Sequence, residues 1–164
     1  NILGPLLNPA KPDFQLVGVF DGELGATYSE LLGRLGRKRA WTVHGSAGAA
    51  GGMDELSTLG TTQVWETLER TQSHFSIDSS SLGLPAPELS ELTGGDAAEN
   101  ASILTGILDG SITGAKRDLV TLNSAAGLVV TGKATDMSQG LDLAREQIDS
   151  GAGLAILHKW RDFH

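Results

Sequence analysis

The stretch Arg39-Ala40-Trp41-Thr42-Val43-His44-Gly45-Ser46-Ala47-Gly48-Ala49-Ala50-Gly51-Gly52-Met53-Asp54-Glu55-Leu56-Ser57 contains an apolar run, a glycine-rich segment and two consecutive carboxylates, in that order. The apolar run has strand character, and acids at the end of the loop that follows are a common layout for a site at the carboxyl edge of an α/β sheet. On a strand or a helix adjacent side chains point apart, so Asp54 and Glu55 would chelate one ion poorly. On a loop they can straddle two Mg²⁺ ions, whose preference for hard oxygen suits carboxylates shared with substrate phosphates. Residue type alone favours a plainer reading, in which the pair are solvated turn residues or begin a helix with Ser57.

Working outward, Gln15-Leu16-Val17-Gly18-Val19-Phe20 is nearly apolar throughout, as in a parallel strand covered on both faces. Leu24, Tyr28, Leu31, Leu32 and Leu35 recur at helical spacing, and Gly36 is placed to close that helix. Strand, helix and the strand Arg39 to Val43 together predict a βαβ unit with a right-handed crossover. Before it, Asn1 to Ala10 is cut by Gly4, Pro5 and Pro9, which predicts an ordered, non-helical connector.

Downstream, Thr62 to Leu68 alternates in the pattern of a half-buried strand, and His74 to Ile77 is placed to pair with it. His74 reads as a surface strand residue rather than a base. Thr93-Gly94-Gly95-Asp96 has the look of a phosphate turn, but Asp96 followed by Glu99 and an apolar run reads as a helix cap with its capping-box partner. Gly114 to Val130 predicts a long helix with Asn123 and Ser124 at its middle and Lys116, Arg117 and Asp118 in its first turn as packing and solvent partners. A final helical pair spans Ser138 to Asp149 and Gly151 to Phe163.

The bulk numbers agree with one α/β domain. A chain of 164 residues buries roughly 68–70% of its unfolded surface. Its 22 glycines, about twice the usual share of about 7%, are scattered without period, which argues for tight loops and close backbone approaches. A net charge of −8 and no basic cluster longer than Arg37-Lys38-Arg39 speak against nucleic acid. Phosphate remains accessible through backbone amides and metal. With no cysteine there is no thiol or disulfide chemistry, which fits a reducing compartment. No run approaches the ~18 apolar residues of a membrane span and no basic-then-apolar leader is seen, so neither is expected here. The first residue is Asn1 rather than Met, which suggests a processed chain or a piece of a longer one.

With these pieces placed, the chain resembles the carboxyl-terminal half of the anthranilate phosphoribosyltransferase family. The matching segments are Asn1-Ile2-Leu3-Gly4-Pro5-Leu6-Leu7-Asn8-Pro9-Ala10, Gln15 to Val19, Val43-His44-Gly45, Gly52-Met53-Asp54-Glu55-Leu56-Ser57, Gly94 to Ala101, Gly114 to Asp118 and Ile148 to Gly151. Each is weak alone; in family order along nearly the whole chain they are specific.

The resemblance implies an α/β fold of the nucleoside phosphorylase and phosphoribosyltransferase type, in which this chain is the carboxyl-terminal part of a mostly parallel sheet flanked by helices. It implies that Asp54 and Glu55 bind two Mg²⁺ ions holding phosphoribosyl pyrophosphate, and that Pro5 lines the anthranilate channel at a hinge. The implied reaction transfers phosphoribose to the amine of anthranilate in tryptophan biosynthesis, in a cytoplasmic homodimer. The family's helical domain, first α/β segment, phosphate loop and anthranilate-binding arginine would precede Asn1, leaving this chain inactive alone. The loop Ser46 to Gly51 is a few residues longer than the family's pattern. A nucleic-acid-binding relative of the same fold and a pyrimidine nucleoside phosphorylase are the alternatives.

Overall fold

In a computed structural model, which describes residues 3–163, a mixed sheet lies between two layers of helix. Strand β1 is Phe14–Gly18, α1 is Gly25–Arg34 and β2 is Arg39–Ser46. A two-residue β3, Gly52–Met53, folds back on β2; β4 (Thr61–Leu68) and β5 (Thr71–Asp78) follow. The remaining helices are α2 (Leu89–Leu92), α3 (Ala97–Leu108), α4 (Ala115–Val130), α5 (Met137–Asp149) and α6 (Ala152–Arg161). Strand order is β1-β2-β4-β5, with β3 paired to β2.

The β1–α1–β2 unit forms as its sequence predicts, with β1 and β2 parallel and Gly18 level with Val43. Downstream the sheet turns antiparallel: β4 pairs with β2, and β5 with β4 through the two-residue turn Glu69-Arg70. A two-residue connection can join only antiparallel neighbours.

Alternation along β2 divides the core. Trp41 and Val43 face α4 with Leu56, Val64, Leu122, Ala125, Ala126 and Val129. Ala40 faces α1 with Val17, Val19, Tyr28 and Leu32. The small residues on the α1 face admit a buried hydroxyl knot, in which Thr67 hydroxyl donates to the Ser29 carbonyl at 2.5 Å and accepts from Gln72 at 2.8 Å.

Two expectations need correction. Gly4–Leu6 is one turn of 3-10 helix, with Leu6 buried. Proline tolerates this because it falls in the first turn, where its missing N–H has no intrahelical partner to lose. Asn1 and Ile2 lie outside the described residues. The expected loop after Val43 is mostly ordered: β2 runs on to Ser46, and Ala47 N–H donates to Gly51 O at 2.8 Å to close a tight return into β3. Gly48 and Gly51 sit at φ +62° and +107°, conformations that side chains resist.

The Asp96 cap forms, its side chain accepting from Glu99 N–H at 2.9 Å. The turn before it is clasped by Asn100, which bonds both the N–H and the C=O of Gly95. Lys116 donates to the Glu91 and Thr93 carbonyls, and Arg117 pairs with Asp149 at 2.6 Å. These cations pack helices, as read from the sequence.

Two stability measurements check this layering. Leu122→Ala, at a fully buried position, should lower unfolding free energy by about 2–5 kcal/mol in denaturant titration. Asp96→Ala should cost about 1 kcal/mol through the lost cap.

Candidate functional site

The parallel strands β1 and β2 end side by side, and the chain returning from β3 crosses those ends as Asp54 and Glu55. Two glycines permit this crossing. A Cβ on Gly18 would lie 1.5 Å from the Asp54 carbonyl oxygen, and one on Gly45 would lie 2.4 Å from that of Glu55. No real side chain survives such contacts, so the acidic pair rests directly on bare backbone at the sheet's carboxyl edge.

Downstream the segment is pinned. Leu56 is fully buried, with its N–H and C=O both bonded to the Asn123 side chain of α4. Ser57 hydroxyl donates to the Ser46 carbonyl at 2.5 Å, and Ser57 N–H donates to Thr62 at 3.0 Å.

Asp54 is exposed and Glu55 half-buried. Among the described residues no Lys, Arg or His forms an ion pair with either. Burial, and then the neighbouring Asp54 charge, push the Glu55 carboxyl above its ordinary value. An acid held this way favours whatever adds positive charge, whether proton or cation. Among the described residues no three His, Asp or Glu side chains converge on one point. Two carboxylates therefore offer part of a coordination shell.

A cavity of about 370 Å³ opens beside them, lined by Pro5, Gly18, Val19, Phe20, Leu24, Tyr28 and Asp54. Pro5 and Asp54, far apart in sequence, thus meet in one space. The Pro5 carbonyl accepts from Gln15 at 2.8 Å, and Gln15 accepts in turn from the buried Arg37 at 2.9 Å, which holds the opening turn on β1. A larger cleft, about 500 Å³, lies at the far end of α1, where Glu30 and Arg34 pair with each other at 2.6 Å.

Several contributors escaped sequence reading. Phe20 was read as the end of a strand, yet it lies past β1 and 69% exposed on the cavity wall. Tyr28 was read as helix core and also reaches the cavity. His44 places Nδ1 2.8 Å from the Val19 carbonyl, so that nitrogen carries the hydrogen and ties β2 to the exit of β1. His74 is exposed, as expected, and stacks on Trp65 at 4.9 Å.

Comparison with known proteins places this geometry. A model of the glycosyl transferase family, a/b domain, matches residues 1–154. The chain is 40% identical over 163 residues to an anthranilate phosphoribosyltransferase of Natronomonas pharaonis, covering 99% of this chain and 47% of that protein. Among solved structures, the anthranilate phosphoribosyltransferase of Thermus thermophilus superposes with a TM-score of 0.86 at 36% identity, over 97% of this chain and 45% of that one. The Saccharomyces cerevisiae enzyme with 4-fluoroanthranilate gives 0.84 at 28% identity, over 96% and 45%. With PRPP and Mg it gives 0.81 at 30% identity, over 96% and 44%. The chain spans about half the length of the curated relatives it matches.

The charge on Glu55 predicts a pH signature. A raised pKa means the folded chain holds that proton more tightly than the unfolded chain. The strain of an ionised Glu55 is therefore present above the raised value and relieved as pH falls through it. In metal-free buffer, Glu55→Gln should raise the melting temperature at about pH 7.5, and the gain should vanish near pH 4. A lower melting temperature for the variant at neutral pH would contradict this account.

Proposed function

Since the chain belongs to the glycosyl transferase family, a/b domain, we propose that it is the carboxyl-terminal part of an anthranilate phosphoribosyltransferase. In this reading the assembled enzyme moves phosphoribose from phosphoribosyl pyrophosphate to anthranilate. A bond forms between the aromatic amine and the anomeric carbon, the bond from that carbon to pyrophosphate breaks, and the amine gives up a proton. The observation that carries the reading is the meeting of Pro5 with Asp54 in one cavity, beside the half-buried Glu55.

The acids fit Mg²⁺. It takes hard oxygen ligands, commonly one or two carboxylates with substrate phosphates and water completing the shell. A half-buried carboxylate beside a like charge is stabilised by a cation placed there. The yeast relative's complex with PRPP and Mg supports the same ion. Asp54 and Glu55 would hold it, as two ions with the substrate, and when bound it supplies neutralisation of charge on the departing pyrophosphate.

The chain's other residues position. Pro5, Val19, Phe20 and Leu24 form apolar walls suited to a flat aromatic ring. Gly18 lets the cavity floor and the acid backbone share one strand end. The nucleophile is the substrate's own amine, so no Ser or His nucleophile is required. The anion-binding loop and the group that holds the anthranilate carboxylate would come from further chain, in a homodimer of the cytoplasm. The charge of −8 supports small-molecule substrates over nucleic acid.

In the longer enzyme, Asp54→Asn with Glu55→Gln should lower turnover by about three orders of magnitude, roughly 4 kcal/mol of barrier, while the fold persists. Following anthranilate fluorescence with phosphoribosyl pyrophosphate and Mg²⁺ measures this. Near-normal turnover in the double variant would remove the assignment. The 164-residue chain alone should show none, since orientation worth ~7–11 kcal/mol depends on groups from both halves.

A further inference from the structure

We propose that Asn123, at the middle of α4, is a positioning residue for the acidic pair, setting from behind where Asp54 and Glu55 stand. The inference rests on the reading of that pair as a metal site. Asn123 never faces the cavity lining; it acts through the backbone of Leu56, one residue past Glu55 and 67 residues away in sequence.

The geometry is specific. Leu56 N–H donates to Asn123 Oδ1 at 2.9 Å, and Asn123 Nδ2 donates to Leu56 O at 3.0 Å. One primary amide thus presents an acceptor and a donor to the two backbone groups of a single residue, as a neighbouring strand would. Between β3 and β4 the chain leaves the sheet, so no ladder partner serves Leu56, whose side chain is fully buried. The amide is steadied in turn by a bond from Nδ2 to Leu119 O at 3.1 Å, one helical turn back on α4.

Together with the glycine contacts, this leaves the acids little freedom. Gly18 and Gly45 define how closely the segment approaches the strand ends, and Asn123 defines how far it is drawn toward α4. Alternatives to asparagine at this position fail on chemistry. Aspartate keeps the acceptor for Leu56 N–H but sets an oxygen against Leu56 O; leucine keeps the shape and offers neither bond. Groups that orient metal ligands from behind commonly alter metal affinity 10- to 100-fold when replaced.

The test uses Mn²⁺ as the probe, with inorganic pyrophosphate at fixed concentration and a protein-free blank, on the longer enzyme that contains this chain. Free Mn²⁺ is read by electron paramagnetic resonance, and folding by melting temperature on the same samples. Asn123→Asp and Asn123→Leu should weaken Mn²⁺ binding about 10- to 100-fold in protein that remains folded. Unchanged affinity in folded variants overturns the proposal while leaving the metal site intact, provided Asp54→Asn with Glu55→Gln abolishes binding. Equal binding by that double variant and the unaltered enzyme, or no binding by either, overturns the metal site and this inference with it. Should the Asn123 variants fail to fold, hydrogen exchange of the Leu56 amide in the unaltered enzyme decides. Protection already present without Mg²⁺ supports a preformed clamp, and free exchange until Mg²⁺ and pyrophosphate are added overturns it.

Discussion

The site depends on one close approach: the peptide backbone of Asp54 and Glu55 lies on the ends of β1 and β2 with no side chain between. Gly18 and Gly45 make that possible, since a methyl group at either would fall well inside van der Waals contact distance of a carbonyl oxygen. The rest of the local architecture follows from keeping the segment there. The hairpin from β2 into β3 turns the chain back toward the strand ends, and Gly48 and Gly51 supply the positive φ angles its turn requires. Leu56 then drops into the core as the anchor.

Helix α4 is the other fixed body. Near its start Lys116 bonds carbonyls around α2, at its middle Asn123 holds Leu56, and near its end the Val129 carbonyl accepts from Arg39 of β2 at 2.7 Å. Arg39 is engaged by Glu66 of β4 at 2.7 Å, and Trp41 donates to the same Glu66 oxygen. Sheet and helix are thus joined by polar bonds along the helix as well as by the apolar layer of Trp41, Val43, Val64 and Leu122. Directional bonds fix register in a way that apolar contact does not, because dispersion and hydrophobic burial tolerate sliding.

Electrostatics and stability pull in opposite directions at the acids. Placing Glu55 half-buried beside Asp54, with no cation paired to either among the described residues, costs the folded chain stability at neutral pH. Perturbed groups of this kind gather where function needs them, and the same burial that disfavours the charge strengthens its hold on a cation. Elsewhere the polar groups of the core are largely matched. Thr42 and Thr58 are the buried hydroxyls without a hydrogen-bond partner among the described residues.

Sequence alone determined the βαβ unit, the β4–β5 hairpin, the Asp96 cap and the helical pair at the end of the chain. Each depends on local period, capping residues or turn chemistry, which operate within a few residues and leave a readable pattern. It also singled out Pro5, Asp54 and Glu55 by family order. Tertiary structure decided the rest. Residue type could not distinguish Asp54 and Glu55 from solvated turn residues, because half-burial of Glu55 depends on chain that folds over it from elsewhere. Phe20 and Tyr28 carry the same apolar signal whether they fill a core or wall a cavity. Asn123 read only as a polar residue at the middle of a long helix, since its partner stands 67 residues away and long-range hydrogen bonds have no period.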